Sequence, residues 1–156
     1  MPDKIKFHFK SPEQSPGYLL GQLTMLWQRK QKRVLDPLDL TQTQFVLLAA
    51  LAWLSRDSDV VTQVDIANQG NADRMMVSKV LRTLEAKHFI TRHEHPTDTR
   101  AKTIKLTTAG ETVLQKAIVS VENADLEFFA ALQDEDHSSF NLSMNKLIEE
   151  NKNTLT

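Results

Sequence analysis

The 156-residue sequence contains no cysteine and no long hydrophobic run. The absence of cysteine excludes disulfide bonds, thiolate zinc sites, iron–sulfur clusters, a cysteine nucleophile and thiol-based redox sensing. The longest uncharged, apolar-rich stretch, residues 40–55, is too short and too rich in threonine and glutamine to span a bilayer. The N-terminal residues also lack the apolar core of a signal peptide. We therefore expect a cytoplasmic protein with no membrane partner.

Motifs of common catalytic sites are missing as well. The sequence has no glycine-rich phosphate-binding loop, no nucleophile elbow and no His-Glu-x-x-His zinc motif. The acidic cluster at residues 134–136 is typical of a helix start, where negative charge is favourable. We therefore expect no enzymatic activity and no cofactor.

The net charge is near zero, but the charges are unevenly distributed along the chain. Residues 1–70 carry 8 basic and 7 acidic side chains, residues 71–107 carry 8 and 4, and residues 108–156 carry 3 and 9. A basic central module therefore lies beside an acidic C-terminal module. This asymmetry indicates either an anionic partner for residues 71–107 or an ordinary solvated surface.

Capping residues and apolar periodicity predict two helices in the first third of the chain. Ser15 followed by Pro16 is typical of a helix start, and apolar residues at helical spacing continue to near Pro37. A capping box at residues 41–44 opens a second helix over residues 45–54, which is apolar nearly all round. We expect this second helix at the centre of the core.

Two further helices are predicted close together in the middle of the chain. Thr62 and Asp65 start a short third helix, which Gly70 ends, and Asn71 caps a fourth helix over residues 72–87. The apolar stripe of the fourth helix consists of Val77, Val80, Leu81 and Leu84. Its opposite face carries Met75, Ser78, Lys79 and Arg82, with Arg74 on the flank.

After the fourth helix the hydrophobic period changes from helical to extended. Residues 89–95 and 103–107 are predicted strands, joined by a charged hairpin tip at residues 96–102. Residues 108–111 form another capping-box pattern that opens a long helix, and Asp134 caps a last one. The predicted order is four helices, a hairpin and two helices.

A short helix, a tight turn and a helix with a basic exposed face are typical of a helix-turn-helix, whose second helix enters the DNA major groove. Arginine and lysine can donate to guanine, serine can bond several base edges, and methionine can pack on a thymine methyl group. The candidate DNA-contacting residues of this helix are Arg74, Met75, Ser78, Lys79 and Arg82. The alternative is an amphipathic surface helix whose exposed face is only solvated.

The hairpin that follows has the position and charge of a wing. Its tip carries Arg100 and Lys102, and an arginine at this place can enter the narrow minor groove. Asp98 is interpreted as the partner that orients Arg100 through charge-assisted hydrogen bonds. An ordinary polar turn is the alternative interpretation.

Four stretches, at residues 40–45, 77–87, 98–100 and 106–110, together resemble the MarR family of winged-helix transcriptional regulators. With the layout of the outer helices, the resemblance covers nearly the whole chain. It implies a mainly α fold with a small β-hairpin wing and a homodimer joined through the N- and C-terminal helices. It also implies recognition helices in successive major grooves, wing arginines in flanking minor grooves, and often release by a small ligand.

On this resemblance, residues 1–156 form a single domain. Residues 15–36 and 108–152 are the expected dimerisation helices, and residues 40–107 are the expected winged helix-turn-helix lobe. The outer helices carry more apolar surface than this small lobe can cover, at Leu20, Leu23, Trp27, Val34, Phe128, Leu132, Phe140 and Leu147. We expect a homodimer that binds a pseudo-palindromic operator in double-stranded DNA and represses transcription.

The family places a ligand cleft between the dimer helices and the DNA-binding lobe. Trp27, Phe45 and Trp53 are the candidates for its lining and for contact with a small-molecule effector, although plain core packing is the simpler interpretation.

Two positions depart from the family pattern. His88 stands where the family usually has glycine closing the recognition helix, so we expect a left-handed backbone on a residue that tolerates it only moderately. Ala101 and Lys102 stand where the family often has further arginines, which predicts a weaker contact between the wing and DNA.

Two other functions remain open from the sequence alone. His88, His93 and His95, with Glu94 or Asp98, could bind a metal ion and make the protein a metal-responsive regulator. A winged helix that only contacts proteins would have the same fold and dimer, without salt-dependent affinity for DNA.

Overall fold

A computed structural model describes residues 4–154 of the chain. Within that range it contains six α-helices and one two-stranded antiparallel hairpin. In chain order the elements are α1 (Pro16–Leu35), α2 (Gln42–Leu54), α3 (Gln63–Gln69), α4 (Arg74–Ala86), β1 (Ile90–Glu94), β2 (Lys102–Leu106), α5 (Thr108–Phe128) and α6 (Asp134–Asn151). The predicted order and the mainly α fold with a β-hairpin wing are confirmed.

The first three helices begin at the predicted caps. The side chain of Ser15 accepts a hydrogen bond from the backbone N–H of Tyr18. The side chains of Thr41 and Thr62 accept hydrogen bonds from the backbone N–H groups of Gln44 and Asp65. In return, the side chains of Gln44 and Asp65 accept hydrogen bonds from the backbone N–H groups of the two threonines. The capping box predicted at residues 41–44 is therefore present, and a second one forms at the predicted start of α3; each satisfies amides that the helix itself leaves unpaired.

In the turn between α3 and α4, the left-handed residue and the N-cap of α4 are not the residues that the sequence predicted. Gly70 follows α3 with a φ of −99°, and Asn71 takes the left-handed conformation with a φ of 50°. Asp73, not Asn71, caps α4, since its Oδ1 accepts a hydrogen bond from Met76 N at 2.9 Å. The sequence was ambiguous because glycine and asparagine are both favoured at helix ends, and asparagine and aspartate are both favoured at helix starts.

The starts of α5 and α6 also differ from the prediction by one residue. Thr107 caps α5 by accepting a hydrogen bond from Gly110 N at 3.0 Å. No capping box forms there because Gly110 has no side chain to complete it. Gln133 precedes α6 without a capping side chain, so Asp134 is the first helical residue and contributes negative charge to the first turn.

The core lies around α2 and is covered by α4, α5 and the hairpin. The predicted central position of α2 is confirmed by the burial of Leu47, Leu48 and Leu51. The apolar stripe of α4 faces this core, with Val77, Leu81 and Leu84 buried and Val80 half-buried. α1 packs along α5 and against α2.

The hairpin is attached to the helix-turn-helix at its base. Ile90 pairs with Leu106 and Glu94 with Lys102, so Lys102 begins β2 instead of belonging to the tip as predicted. Ile104 N donates a hydrogen bond to Val61 O at 2.8 Å, just before α3. This bond ties the hairpin to the segment that leads into α3.

Both ends of the described chain lie outside the core. No residue within 4–30 or within 125–154 is buried, although both segments contain large apolar side chains. No helix in the described part of the chain is long and apolar enough to cross a membrane.

Candidate nucleic-acid interface

The face of α4 opposite the core is open and basic. The side chains of Arg74, Lys79 and Arg82 are exposed, and Met75 is 82% exposed, while Ser78 is half-buried. Within residues 4–154, none of the three cations makes an ion pair. These cations can therefore bind external anions without breaking an internal pair.

Other basic residues of the same module hold α4 in place. Lys87 Nζ, just beyond the end of α4, donates to Asp39 O at 2.6 Å and to Gln44 Oε1 at 3.1 Å. Arg92 Nε of β1 lies 3.4 Å from Glu85 Oε1. The Lys87 contacts join the end of α4 to Asp39, between α1 and α2, and to Gln44 in the first turn of α2. The Arg92–Glu85 contact joins α4 to the wing. Sequence analysis missed both, because their partners lie on other elements.

The C-terminal end of α4 is left-handed, as the sequence predicted. His88 has a φ of 64°. Phe89 N donates to Leu84 O at 3.0 Å, and Thr107 Oγ1 donates to His88 O at 2.6 Å. The end of α4 is therefore bonded directly to the residue that caps α5.

At the wing tip, Asp98 orients Arg100. Asp98 Oδ1 accepts hydrogen bonds from Arg100 Nε and from Arg100 N, both at 3.1 Å. The predicted pairing is confirmed, and the Arg100 side chain remains 90% exposed. These hydrogen bonds lower the pKa of Asp98 because they stabilise its carboxylate. The contact is present at neutral pH and is lost as the pH falls through this lowered pKa.

The histidines of the module do not converge on one site. His95 Nδ1 accepts hydrogen bonds from Thr97 N at 3.2 Å and Asp98 N at 3.0 Å, which closes the turn of the wing. His93 Nε2 lies 2.8 Å from Thr91 Oγ1. In the described residues, no group of three or more His, Asp or Glu side chains is placed to bind a metal ion. The geometry therefore gives the metal-responsive alternative no support.

The three candidate ligand residues have different surroundings. Trp27 Nε1 donates to Asp125 Oδ1 at 2.8 Å, joining α1 to α5. Phe45 is partly buried against the core. Trp53 is 59% exposed, and the Arg56 guanidinium lies 4.3 Å from its ring centroid. Core packing therefore accounts for the position of Phe45, but not for that of the exposed Trp53.

The helix-turn-helix with its attached β-hairpin defines a winged-helix DNA-binding fold. Residues 40–102 match the family model described as MarR family. The HTH-type transcriptional regulator YdcH of Bacillus subtilis strain 168 is 43% identical over 123 residues, which are 79% of this chain and 84% of that protein. The chain belongs to the MarR family and is a winged-helix transcriptional regulator.

Solved structures agree with this fold. The MepR–DNA complex of S. aureus has a TM-score of 0.79 and 26% identity, covering 87% of this chain and 98% of MepR. BpsR of Bordetella bronchiseptica, whose DNA binding is regulated by 6-hydroxynicotinic acid, has a TM-score of 0.80 and 22% identity, covering 92% and 97%. A mutant of E. coli MarR in complex with operator DNA has a TM-score of 0.77 and 22% identity, covering 85% and 92%.

Proposed function

We propose that this regulator binds a pseudo-palindromic operator as a homodimer and represses transcription from it. Two observations carry the proposal: the cations on the outer face of α4 have no ion-pair partner among residues 4–154, and Asp98 holds the wing arginine Arg100 in place. In a helix-turn-helix dimer, half-site centres lie about one helical turn, roughly 34 Å, apart. The two copies of α4 would then enter successive major grooves.

The proposed contacts divide between the two grooves and the phosphates. In the major groove, the contacting residues are Arg74, Met75, Ser78, Lys79 and Arg82. Arg100 enters the minor groove with Asp98 as its positioning residue. Lys102, exposed at the start of β2, binds the phosphate backbone next to the wing.

Residues 15–36 and 108–152 are the proposed dimerisation helices, and residues 40–107 form the proposed DNA-binding lobe. The support is the exposure of large apolar side chains on α1, α5 and α6, including Leu20, Leu126, Leu142 and Leu147. Pairing these helices between subunits would remove that surface from water.

Fluorescence anisotropy on the intergenic DNA beside the protein's own gene tests the operator proposal. We expect tight binding that prefers this DNA to a scrambled duplex and weakens linearly as the logarithm of the salt concentration rises. Failure to prefer any duplex, including members of a random library, would favour a winged helix that contacts only proteins.

We also propose that a small-molecule effector releases the protein from DNA, with Trp27, Phe45 and Trp53 near its site. The support for an effector is the structural neighbour BpsR, whose DNA binding is regulated by 6-hydroxynicotinic acid. Because the chain has only 2 tryptophans, a Trp53→Phe variant isolates the emission of Trp27. A panel of aromatic acids beginning with 6-hydroxynicotinic acid should contain a compound that changes this emission and lowers DNA affinity. A compound that lowers affinity without changing the emission of Trp27 in this variant, or of the two tryptophans in the wild-type chain, would place the site elsewhere.

A further inference from the structure

The turn at the tip of the wing is closed by a histidine, the residue type that changes its charge between about pH 5 and 8. Pro96 has no N–H group, so the first amides of the turn belong to Thr97 and Asp98. Both donate to Nδ1 of the half-buried His95, at 3.2 and 3.0 Å. In the described part of the chain, neither amide has another acceptor. The imidazole therefore caps this turn.

These two hydrogen bonds define the protonation state of the ring. A backbone N–H can only donate, so Nδ1 of His95 is an unprotonated acceptor and the proton of the neutral ring lies on Nε2. A proton on Nδ1 would remove the acceptor from both amides and place three N–H groups against one another. The turn in its observed form thus requires a neutral His95.

The same turn carries the arginine of the wing. Asp98 donates its amide to His95, while its carboxylate accepts hydrogen bonds from Arg100 N and Nε, both at 3.1 Å. Ala101 N donates to Asp98 O at 3.1 Å, and His95 N donates to Ala101 O at 3.3 Å. Asp98 therefore connects the ring of His95 to the orientation of Arg100.

The charges around the tip show what a positive ring would meet. The charged groups of the tip and of the start of α3, which is bridged to β2, are Glu94, Asp98, Arg100, Lys102 and Asp65. The Asp65 carboxylate bonds the first turn of its own helix, Glu85 of α4 pairs with Arg92, and α2 carries no charged side chain. Hydrogen bonds from the wing arginine lower the pKa of Asp98, and a charge on His95 lowers it further. A protonated ring would thus be attracted to the carboxylate that now holds the arginine.

We propose that His95 is a positioning residue for DNA binding and that its protonation releases the wing arginine. With Nδ1 unprotonated, the turn holds Arg100 through Asp98. With Nδ1 protonated, the amides of Thr97 and Asp98 lose their acceptor, and the ring draws the carboxylate away from Arg100. Operator affinity is therefore complete above the range in which histidine gains its proton and falls below it. This inference rests on the proposed entry of Arg100 into the minor groove and adds the residue that controls it.

The direction of the pH effect separates this proposal from simple electrostatics. Protonated histidines make the protein more positive, which by itself strengthens binding to phosphates. We expect the opposite, a loss of about tenfold in operator affinity from neutral pH (about 7.5) to acidic pH (about 5.5). Fluorescence anisotropy with a pH-insensitive dye, at constant ionic strength and with EDTA present, measures it. An affinity that rises or stays constant as the pH falls would overturn the proposal.

Two substitutions identify the group responsible. His95→Asn keeps an acceptor that does not titrate, because asparagine oxygen bonds backbone amides two and three residues on. It should bind like wild type at neutral pH and keep that affinity at acidic pH. His95→Ala has no acceptor and should bind weakly at both. His93→Asn is the matched control, since His93 contacts only Thr91, and it should keep the wild-type pH dependence. A pH dependence that survives in His95→Asn would contradict the assignment.

Nuclear magnetic resonance of the free protein tests the turn without DNA. The amide signals of Thr97 and Asp98 and the Nε signal of Arg100 should shift with pH together with the ring of His95. In His95→Asn they should stay constant, and circular dichroism checks that both proteins are folded at both pH values. Absence of specific DNA binding by wild type at neutral pH would refute the operator proposal. Specific binding with pH-independent signals in the turn would refute only the role of His95.

Discussion

The basic residues around α4 have two distinct roles. Arg82 and Lys79 point to solvent without ion-pair partners in the described chain, whereas Lys87 bonds the Asp39 carbonyl and Gln44. The first pair can bind DNA, while Lys87 fixes the end of α4 relative to α2. Sequence patterning distinguishes outward from inward positions on one helix, but not an outward lysine from one that reaches a neighbouring element.

Arg82→Ala should weaken operator binding by about 1–3 kcal/mol and relax specificity at one base position, if Arg82 contacts a guanine. Lys79→Ala should weaken binding to all sequences and reduce the salt dependence, as loss of a phosphate contact does. Anisotropy on single-base operator variants separates the two effects. Arg33→Ala, an exposed arginine on α1, is the matched control and should bind normally. Unchanged affinity in both α4 variants would place the base contacts elsewhere.

Asp98 offers a test in which two effects have opposite signs. Removing a carboxylate near phosphates should strengthen binding if only net charge matters. Because Asp98 accepts hydrogen bonds from both the backbone N–H and the side chain of Arg100, we expect Asp98→Ala to weaken binding instead. Tighter binding by Asp98→Ala would contradict the positioning role.

Arg100→Ala should lose affinity chiefly on operators with A·T-rich flanks, where the minor groove is narrow. Equal losses on operators with G·C-rich flanks would indicate that Arg100 contacts only phosphate.

At the scale of elements, the junction of α4, β1 and α5 depends on a close approach of two backbones. A Cβ atom on Gly110 would lie 2.0 Å from the carbonyl oxygen of Phe89. Phe89 immediately follows the left-handed His88, whose carbonyl is bonded by Thr107. Gly110 thus allows the first turn of α5 to pack directly on the residues that follow the end of α4.

Gly110→Ala should destabilise the protein by about 1–3 kcal/mol, because the added methyl group forces these backbones apart. Helix propensity alone predicts the opposite, a gain of up to about 1 kcal/mol. Gly21→Ala is the matched control, since a Cβ at that helical position meets nothing within 4 Å, and it should not destabilise the protein. Urea unfolding at one protein concentration compares them. Equal stability changes in the two variants would show that the close approach is not required.

At the scale of the whole molecule, charge and apolar surface divide the chain into two regions. The basic module forms α4 and the wing, whereas the acidic C-terminal segment forms α5 and α6. In the proposed dimer the acidic helices lie away from the phosphates, so the near-neutral total does not oppose DNA binding. The exposed apolar side chains of α1 and α6 lie outside the lobe and are available for subunit contact.

Sedimentation at micromolar concentration should show a dimer. Leu147→Glu, which places a charge on the exposed apolar surface of α6, should shift the protein toward monomer and weaken operator binding with it. Val60→Glu, in the loop before α3, should leave the assembly unchanged. A wild-type monomer under these conditions would contradict the dimer and the docking of two helices in successive grooves.

Local sequence patterns predicted the element order, the caps of α1, α2 and α3, and the outward face of α4. It also predicted the left-handed His88 and the Asp98–Arg100 pair. These features are local, since caps and turns join residues a few positions apart and burial follows the helical period. The errors were local as well: Asp73 caps α4 in place of the predicted Asn71, and Thr107 caps α5 in place of the predicted Thr108, because these residues have similar capping ability.

Contacts between distant residues could be read only from the folded chain. Trp27 and Gln31 converge on Asp125, nearly a hundred positions away, and Gly110 packs on Phe89. No periodicity encodes these contacts, because they depend on how the helices cross and how closely their backbones approach.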